Sequence, residues 1–402
     1  MQITDYTVCM APRNPLQLNL PSMTPWLEEV LSSMPSKGRH GLKVINDLAF
    51  GFTDDRETEK GNQDRLAVAY CLDPLQSGEK WFFAGICDGV GGEAQGEAAA
   101  SLALSEIISH LCVCEKGSLE GRLDTAIVRA HREVKQRFQK RSATTFAGVL
   151  VSERQGFAIG SVGDSRIYSV SPEGVAKLSQ DDTLVEMLRR QSPRNDEKKI
   201  REAIEALTPR WRESLGQAIG SDLALEPRIS SWPQIEPDVG CLLCTDGVWK
   251  PTENVLAQVS RSSPGRTDLA RRLLALTDHL GGTDNATAIV LPDLEKVQQW
   301  LRAPHSIHEA GLVHIVLAGE GAVVPWALFR RTESPRDLRE SRISEQEVTG
   351  STELKDEVPV KPKRRGKSKP GKAVKEDDFQ MTIVEGPNDD ASSSPSAIPE
   401  KR

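Results

Sequence analysis

The chain has 402 residues, 38% of them hydrophobic, and a mean hydropathy of -0.41; it is too long for one ordinary domain and too polar for a wholly packed globule. A net charge of -7 and a pI near 5.7 exclude any global pull toward nucleic acid or an anionic membrane. Seven cysteines without framework spacing, a start that mixes Asp5, Arg13 and Asn14 with Pro12 and Pro15, and no uncharged apolar run of about 18 residues predict a cytoplasmic protein in a reducing environment, with no secretory signal, disulfide framework or membrane span.

Residues 1–44 read as an N-terminal extension with one short helical candidate at 26–34. From about Asn46 the texture changes to short apolar or alternating runs bounded by Gly, Asp and Ser, continuing to about Asp293. These runs predict strands at 47–52, 66–72, 81–87, 146–151, 156–161, 166–170, 241–244 and 286–291. Helices are expected at 97–111, 119–139, 183–190 and 267–279, the first with Leu104, Ile107, Ile108 and Leu111 at core-facing spacing. Strands come in blocks and strict βαβ alternation is absent, which predicts antiparallel sheets with helices outside, an α+β layered sandwich. Residues 294–330 read as a helix and hairpin appendix, with two apolar runs flanking Gly319-Glu320-Gly321. Charge, Ser and Pro dominate residues 331–402, which read as a disordered charged tail.

Three aspartates fall where an apolar strand meets a Gly- or Asn-marked turn. Asp88 follows Trp81–Cys87 and precedes Gly89-Val90-Gly91-Gly92; Asp246 follows Cys241–Thr245 and precedes Gly247; Asp284 precedes Asn285 and the run 286–291. A single such aspartate usually only starts a turn. Three on neighbouring strands would converge at one edge, where each like-charged pair costs about 4 kcal/mol at 4 Å and an effective dielectric of 20. Such a cluster must be protonated, spread apart or filled by a cation, and hard oxygen ligands select Mg²⁺ or Mn²⁺ over softer metals. Two such ions leave a net positive charge suited to a phosphate, and can activate a shared water for in-line attack.

Seven blocks in order carry a resemblance: Asn62-Gln63-Asp64, Asp88-Gly89-Val90-Gly91-Gly92, Ala143-Thr144-Thr145, Gly163-Asp164-Ser165-Arg166, Leu215-Gly216-Gln217-Ala218-Ile219-Gly220, Asp246-Gly247-Val248-Trp249 and Asp284-Asn285. Together they resemble the metal-dependent protein phosphatases of type 2C, the PPM family, over residues 45–293. The resemblance implies a four-layer αββα sandwich, two central antiparallel sheets flanked by helix pairs. It implies hydrolysis of phosphoserine and phosphothreonine in phosphorylated protein substrates, opposing a cognate Ser/Thr kinase, by water attack with two Mn²⁺ or Mg²⁺ ions. Asp88 matches the bridging ligand, Gly89 a backbone carbonyl ligand, and Asp246 and Asp284 the remaining ligands of the second metal. Asp64 matches an acidic residue that holds metal-bound water, and Asp164 the ligand of a third, weaker metal. The alternative in another class is an inactive phosphatase-fold scaffold or regulatory binding module, against which the retained, mutually repelling carboxylates argue.

The chain departs from the family pattern in four places. Glu59 stands where many members have the phosphate-gripping arginine, leaving Arg56 and Lys60 beside it as candidates. Val90 replaces the histidine of many eukaryotic members, as bacterial members commonly do; Ala143 replaces a Gly; and Lys250 stands where an acidic residue often follows the Trp. Elsewhere, Cys241-x-x-Cys244 lies within an apolar strand and predicts buried structural thiols rather than zinc ligands, and His305 and His308 read as surface residues. The basic run 361–372 reads as a solvated charge run, and the cluster around Thr382 as incidental before it reads as a recognition peptide.

Overall fold

Runs of apolar residues with no polar face need cover on both sides, and the chain supplies it by stacking two sheets between helices. The computed structural model describes residues 8–10, 24–72, 79–91, 95–113, 117–139, 141–191, 197–208, 211, 214–222, 225–263, 265–305, 312–318 and 321–325, all within one compact unit of residues 1–332. The expectations for 331–402, including the basic run and Thr382, lie outside the described residues.

The first sheet joins, in spatial order, β1 (Val8–Met10), β15 (Gly321–Pro325), β14 (Leu312–Val316), β4 (Asp64–Cys71), β5 (Trp81–Gly91), β7 (Phe146–Ser152), β8 (Gly156–Val162) and β11 (Arg228–Trp232), with β6 (Ser142–Thr144) paired to the end of β5. The second joins β10 (Gly174–Lys177), β9 (Arg166–Ser171), β12 (Gly240–Cys244), β13 (Ala286–Leu291), β3 (Phe50–Asp54) and β2 (Arg39–Lys43). Pairing is antiparallel except at one outer edge, where β1 runs parallel to β15. Every residue of β4, β7, β8 and β13 is buried, as strands at the centre of a sandwich must be.

Helices close both outer faces. On the first sheet lie α2 (Gln95–Val113) and α3 (Leu119–Phe138); on the second, α6 (Asp246–Thr252), α7 (Leu256–Ser262) and α8 (Arg266–His279). Two further helices, α4 (Leu184–Gln191) and α5 (Glu197–Ala206), lie between β10 and β11, and α9 (Leu294–Arg302) packs beside β5 and β7. Ser118 caps α3 by accepting from the Gly121 N–H at 3.2 Å, and Asp293 caps α9 from the Lys296 N–H at 3.0 Å. The layers are therefore helix, sheet, sheet, helix, as the sequence predicts. Among the described residues no helix is long and apolar enough to cross a membrane.

Several elements differ from expectation. Within the stretch read as extension, the helical candidate at 26–34 is found as α1 (Thr24–Ser32), packed on α2 with Leu27 and Leu31 fully buried, whereas β2, not expected from the sequence, pairs with β3. The expected strand at 47–52 begins later, because Asn46 and Asp47 take φ of 54° and 56° and form a 3₁₀ turn first. The expected hairpin after residue 312 extends the first sheet, since β14 pairs with β4. Cys241 and Cys244 are buried on opposite faces of β12, one in each hydrophobic core, so they share no ligand position.

If α1 belongs to the body, Leu27→Ala lowers stability by about 2–5 kcal/mol, the usual cost of emptying a buried leucine site. Urea unfolding measures it, and an unchanged midpoint would contradict the docking of α1.

Candidate metal centre

Both sheets end their central strands at one edge, and that edge collects carboxylates. Asp64 opens β4 and lies directly across from Asp88 in β5. The expected strand at 81–87 in fact continues through Asp88 to Gly91, because Gly89–Gly91 pair with β6. Asp246 begins α6 straight after β12, and Asp284 lies two residues before β13. Asp164 sits in the turn that carries the chain from β8 in the first sheet to β9 in the second. The charges of Asp64, Asp246, Asp284 and Asp164 all act on Asp88.

The surrounding motif residues are the frame that holds these groups. Thr245 Oγ1 donates to Asp64 Oδ2 at 3.0 Å and accepts from the Thr287 N–H at 3.0 Å, tying β4 to β12 and β13. Asn62 Oδ1 accepts from the Asp64 N–H at 3.0 Å, while its amide donates to Thr53 Oγ1 at 2.7 Å. Asn285 bridges the sheets likewise, accepting from the Gln63 N–H at 2.8 Å and donating to the Asp55 carbonyl at 2.9 Å. Thr144 Oγ1 and the Thr145 N–H both donate to the Asp88 carbonyl, at 2.8 and 2.9 Å. Gly89 has a steric reason: a Cβ there would lie 2.2 Å from the Gly96 carbonyl oxygen, so β5 and α2 touch backbone to backbone.

A family model described as protein phosphatase 2C matches residues 55–275, more than half of the chain. The chain belongs to the protein phosphatase 2C family. The serine/threonine protein phosphatase PstP of Mycobacterium tuberculosis is 28% identical over 221 residues, covering 51% of this chain and 39% of that protein. The chain thus spans about two fifths of the length of the curated relatives it matches. Among solved structures, the S. agalactiae serine/threonine phosphatase has a TM-score of 0.49 at 22% identity, covering 59% of this chain and 96% of that one. The catalytic domain of PstP in complex with two manganese ions has a TM-score of 0.46 at 22% identity, covering 60% and 96%.

In this 2C-family chain the donor set suits a hard cation. All five carboxylates offer oxygen only, and Asp64 Oδ1 and Asp246 Oδ1 are buried without a hydrogen-bond partner. Among the described residues no three His, Cys, Asp or Glu side chains stand grouped as a ready coordination shell; what the edge shows is the donors and their field. Burial, with the charges of Asp284 and Asp246, pushes the Asp64 carboxyl up to about 7 against hydrogen bonds from Thr287 and Thr245. Burial and then Asp246 push Asp164 up to about 7 as well, and burial with the other four carboxylates raises Asp88.

The two basic candidates part company. Arg56, at φ 55°, turns its guanidinium onto the end of α8, where it pairs with Asp278 and donates to the carbonyls of Thr277 at 2.6 Å and Gly282 at 3.1 Å. Its side chain is 7% exposed, and it acts there as a C-terminal helix cap. Lys60 is exposed, and its charge reaches Asp284. Gly92 lies outside the described residues, and Val90 is exposed beside the edge with no proton to give. Sequence reasoning missed Thr245 as the hydroxyl that holds Asp64, and it gave Lys250 no role. The i,i+4 spacing from Asp246 was the available signal for Lys250, whose Nζ lies 2.8 Å from Asp246 Oδ2.

These shifts set a pH dependence for the chelated protein. Asp64 titrates near 7 when folded and near 3.8 when unfolded, so the folded chain holds the extra proton in between. Stability therefore falls as pH rises from about 4 to about 7. Asp64→Asn removes that loss, and in EDTA the variant should gain on wild type by a few kcal/mol across this window, on the order of 1.4 kcal/mol per pH unit. Urea unfolding at pH 4.5, 6 and 7.5 gives the comparison; parallel curves would show that Asp64 is not held protonated.

Proposed function

We propose that the chain is a divalent-metal-dependent phosphoserine/phosphothreonine protein phosphatase, acting by direct attack of water. What supports this most is the gathering of Asp64, Asp88, Asp164, Asp246 and Asp284 from both sheets onto one edge, with buried oxygens on Asp64 and Asp246 left unpartnered. In this reading Asp88, Asp246 and Asp284, with the Gly89 carbonyl, would hold two Mn²⁺ or Mg²⁺ ions, and Asp164 stands at the margin. When bound, such a pair lowers the pKa of a shared water toward about 7 and offsets the charge of the phosphate.

The remaining work falls to the chain itself. Asp64, pinned through one oxygen by Thr245, keeps Oδ1 to accept a hydrogen bond from the attacking water and orient it. Lys60 meets the phosphate as a point charge at the rim, since Arg56 is committed to the end of α8. With Val90 beside the edge, the departing alkoxide takes its proton from water rather than from a side chain. The exposed rim suits a phosphorylated segment of a protein, and the bacterial PstP relatives favour a bacterial enzyme that opposes a Ser/Thr kinase.

A phosphothreonine peptide should be hydrolysed with Mn²⁺ present and not in EDTA, and Asp246→Asn should lower kcat/KM by about a hundredfold or more. In the same assay Lys60→Ala should raise KM severalfold, while Arg56→Ala leaves KM unchanged and lowers the melting temperature. Equal rates with and without chelator would remove the proposal.

A further inference from the structure

One cation already stands at the carboxylate edge. Helix α6 places Lys250 one turn beyond Asp246, with its Nζ 2.8 Å from Asp246 Oδ2. The two oxygens of Asp246 are thereby divided: Oδ2 takes the ammonium, and Oδ1 stays buried and unpartnered. Trp249, next to Lys250 in α6, ties the helix to the Asp164 turn. Its Nε1 donates to the Asp164 carbonyl at 2.9 Å, and the Arg166 guanidinium lies 3.3 Å from the ring centroid. Arg166 is itself held by Asp181 at 2.8 Å, so the Asp164 turn, Trp249 and α6 form one braced unit. The Lys250 charge acts on both Asp164 and Asp284, counter to the upward push of burial on those carboxyls.

We infer that Lys250 is the tethered cation of the Asp164–Asp246 side: it orients Asp246 so that Oδ1 faces a divalent ion, and it takes the place of any third ion there. This rests on the metal-dependent reading above. Charge balance agrees with it. Once ionised, the five carboxylates bring five negative charges; two divalent ions offset four, and Lys250, in contact with Asp246, offsets the fifth, with Lys60 left at the exposed rim. A third divalent ion would have to displace the ammonium from Asp246 or sit against it, and like charges oppose both arrangements. Lys250 is in this sense a positioning residue for the metal ligand and a limit on metal number.

The test counts manganese on the full chain, stripped with EDTA and then equilibrated with MnCl₂ by dialysis. Wild type and Lys250→Arg should each retain two ions, and Lys250→Asp should take up a third. Lys250→Gln, neutral and of similar length, should also take up a third and keeps the comparison open if the Asp variant does not fold. Three ions on wild type, or two on both Lys250→Asp and Lys250→Gln, would overturn the inference while leaving the phosphatase reading intact. No manganese on wild type would overturn both.

Discussion

Carboxylates that share a poorly solvated edge repel one another, and most of what is distinctive in this chain answers that repulsion. The centre draws Asp64 and Asp88 from one sheet, Asp246 and Asp284 from the other, and Asp164 from the turn between them. An edge of this kind does not hold itself together. Its cost is met by a frame of neutral hydrogen-bonding groups, Asn62, Thr144, Thr145, Thr245 and Asn285, that fix the backbone on both sides of the seam. The hydrophobic cores on either side of the sheets keep that frame rigid, so the carboxylates cannot relax apart by letting strands slide. On the proposed metal-dependent reading, an acidic centre of this kind is a place prepared for cations.

The same constraint explains why residues distant in sequence look like fragments of one motif. Asn285 reaches the Gln63 N–H across the seam, and Thr245 reaches Asp64; each bond closes only when the two sheets are stacked. Gly89 permits the backbone contact with α2 that lets β5 run on past Asp88. Trp249 and Arg166 brace the turn of Asp164 against α6. These residues need touch no substrate to be indispensable, because they decide where the charges stand.

The central strands were legible because burial on both faces leaves near-continuous apolar runs, as in β4, β5 and β7. Edge strands were not: β2 and β11 are largely polar and half-exposed, with no alternation to betray them. Helix α6 escaped notice because it is short and contains both Gly247 and Pro251, residues that argue against a helix locally. The aspartates could be picked out by their positions before Gly and Asn. Their neutral partners could not, since a hydrogen bond between Thr245 and Asp64 joins residues far apart in the chain. Arg56 and Lys60 were indistinguishable in sequence; a positive φ at Arg56 sends its side chain to the end of α8, and only tertiary structure reveals that.

The claim on which all of this turns is that the carboxylate edge binds hard divalent ions. Anomalous diffraction from crystals soaked in MnCl₂ tests it most directly. The account predicts two manganese peaks among the five aspartates at the seam of the sheets. Crystals that diffract well, show the five aspartates in place and carry no anomalous peak among them would contradict it.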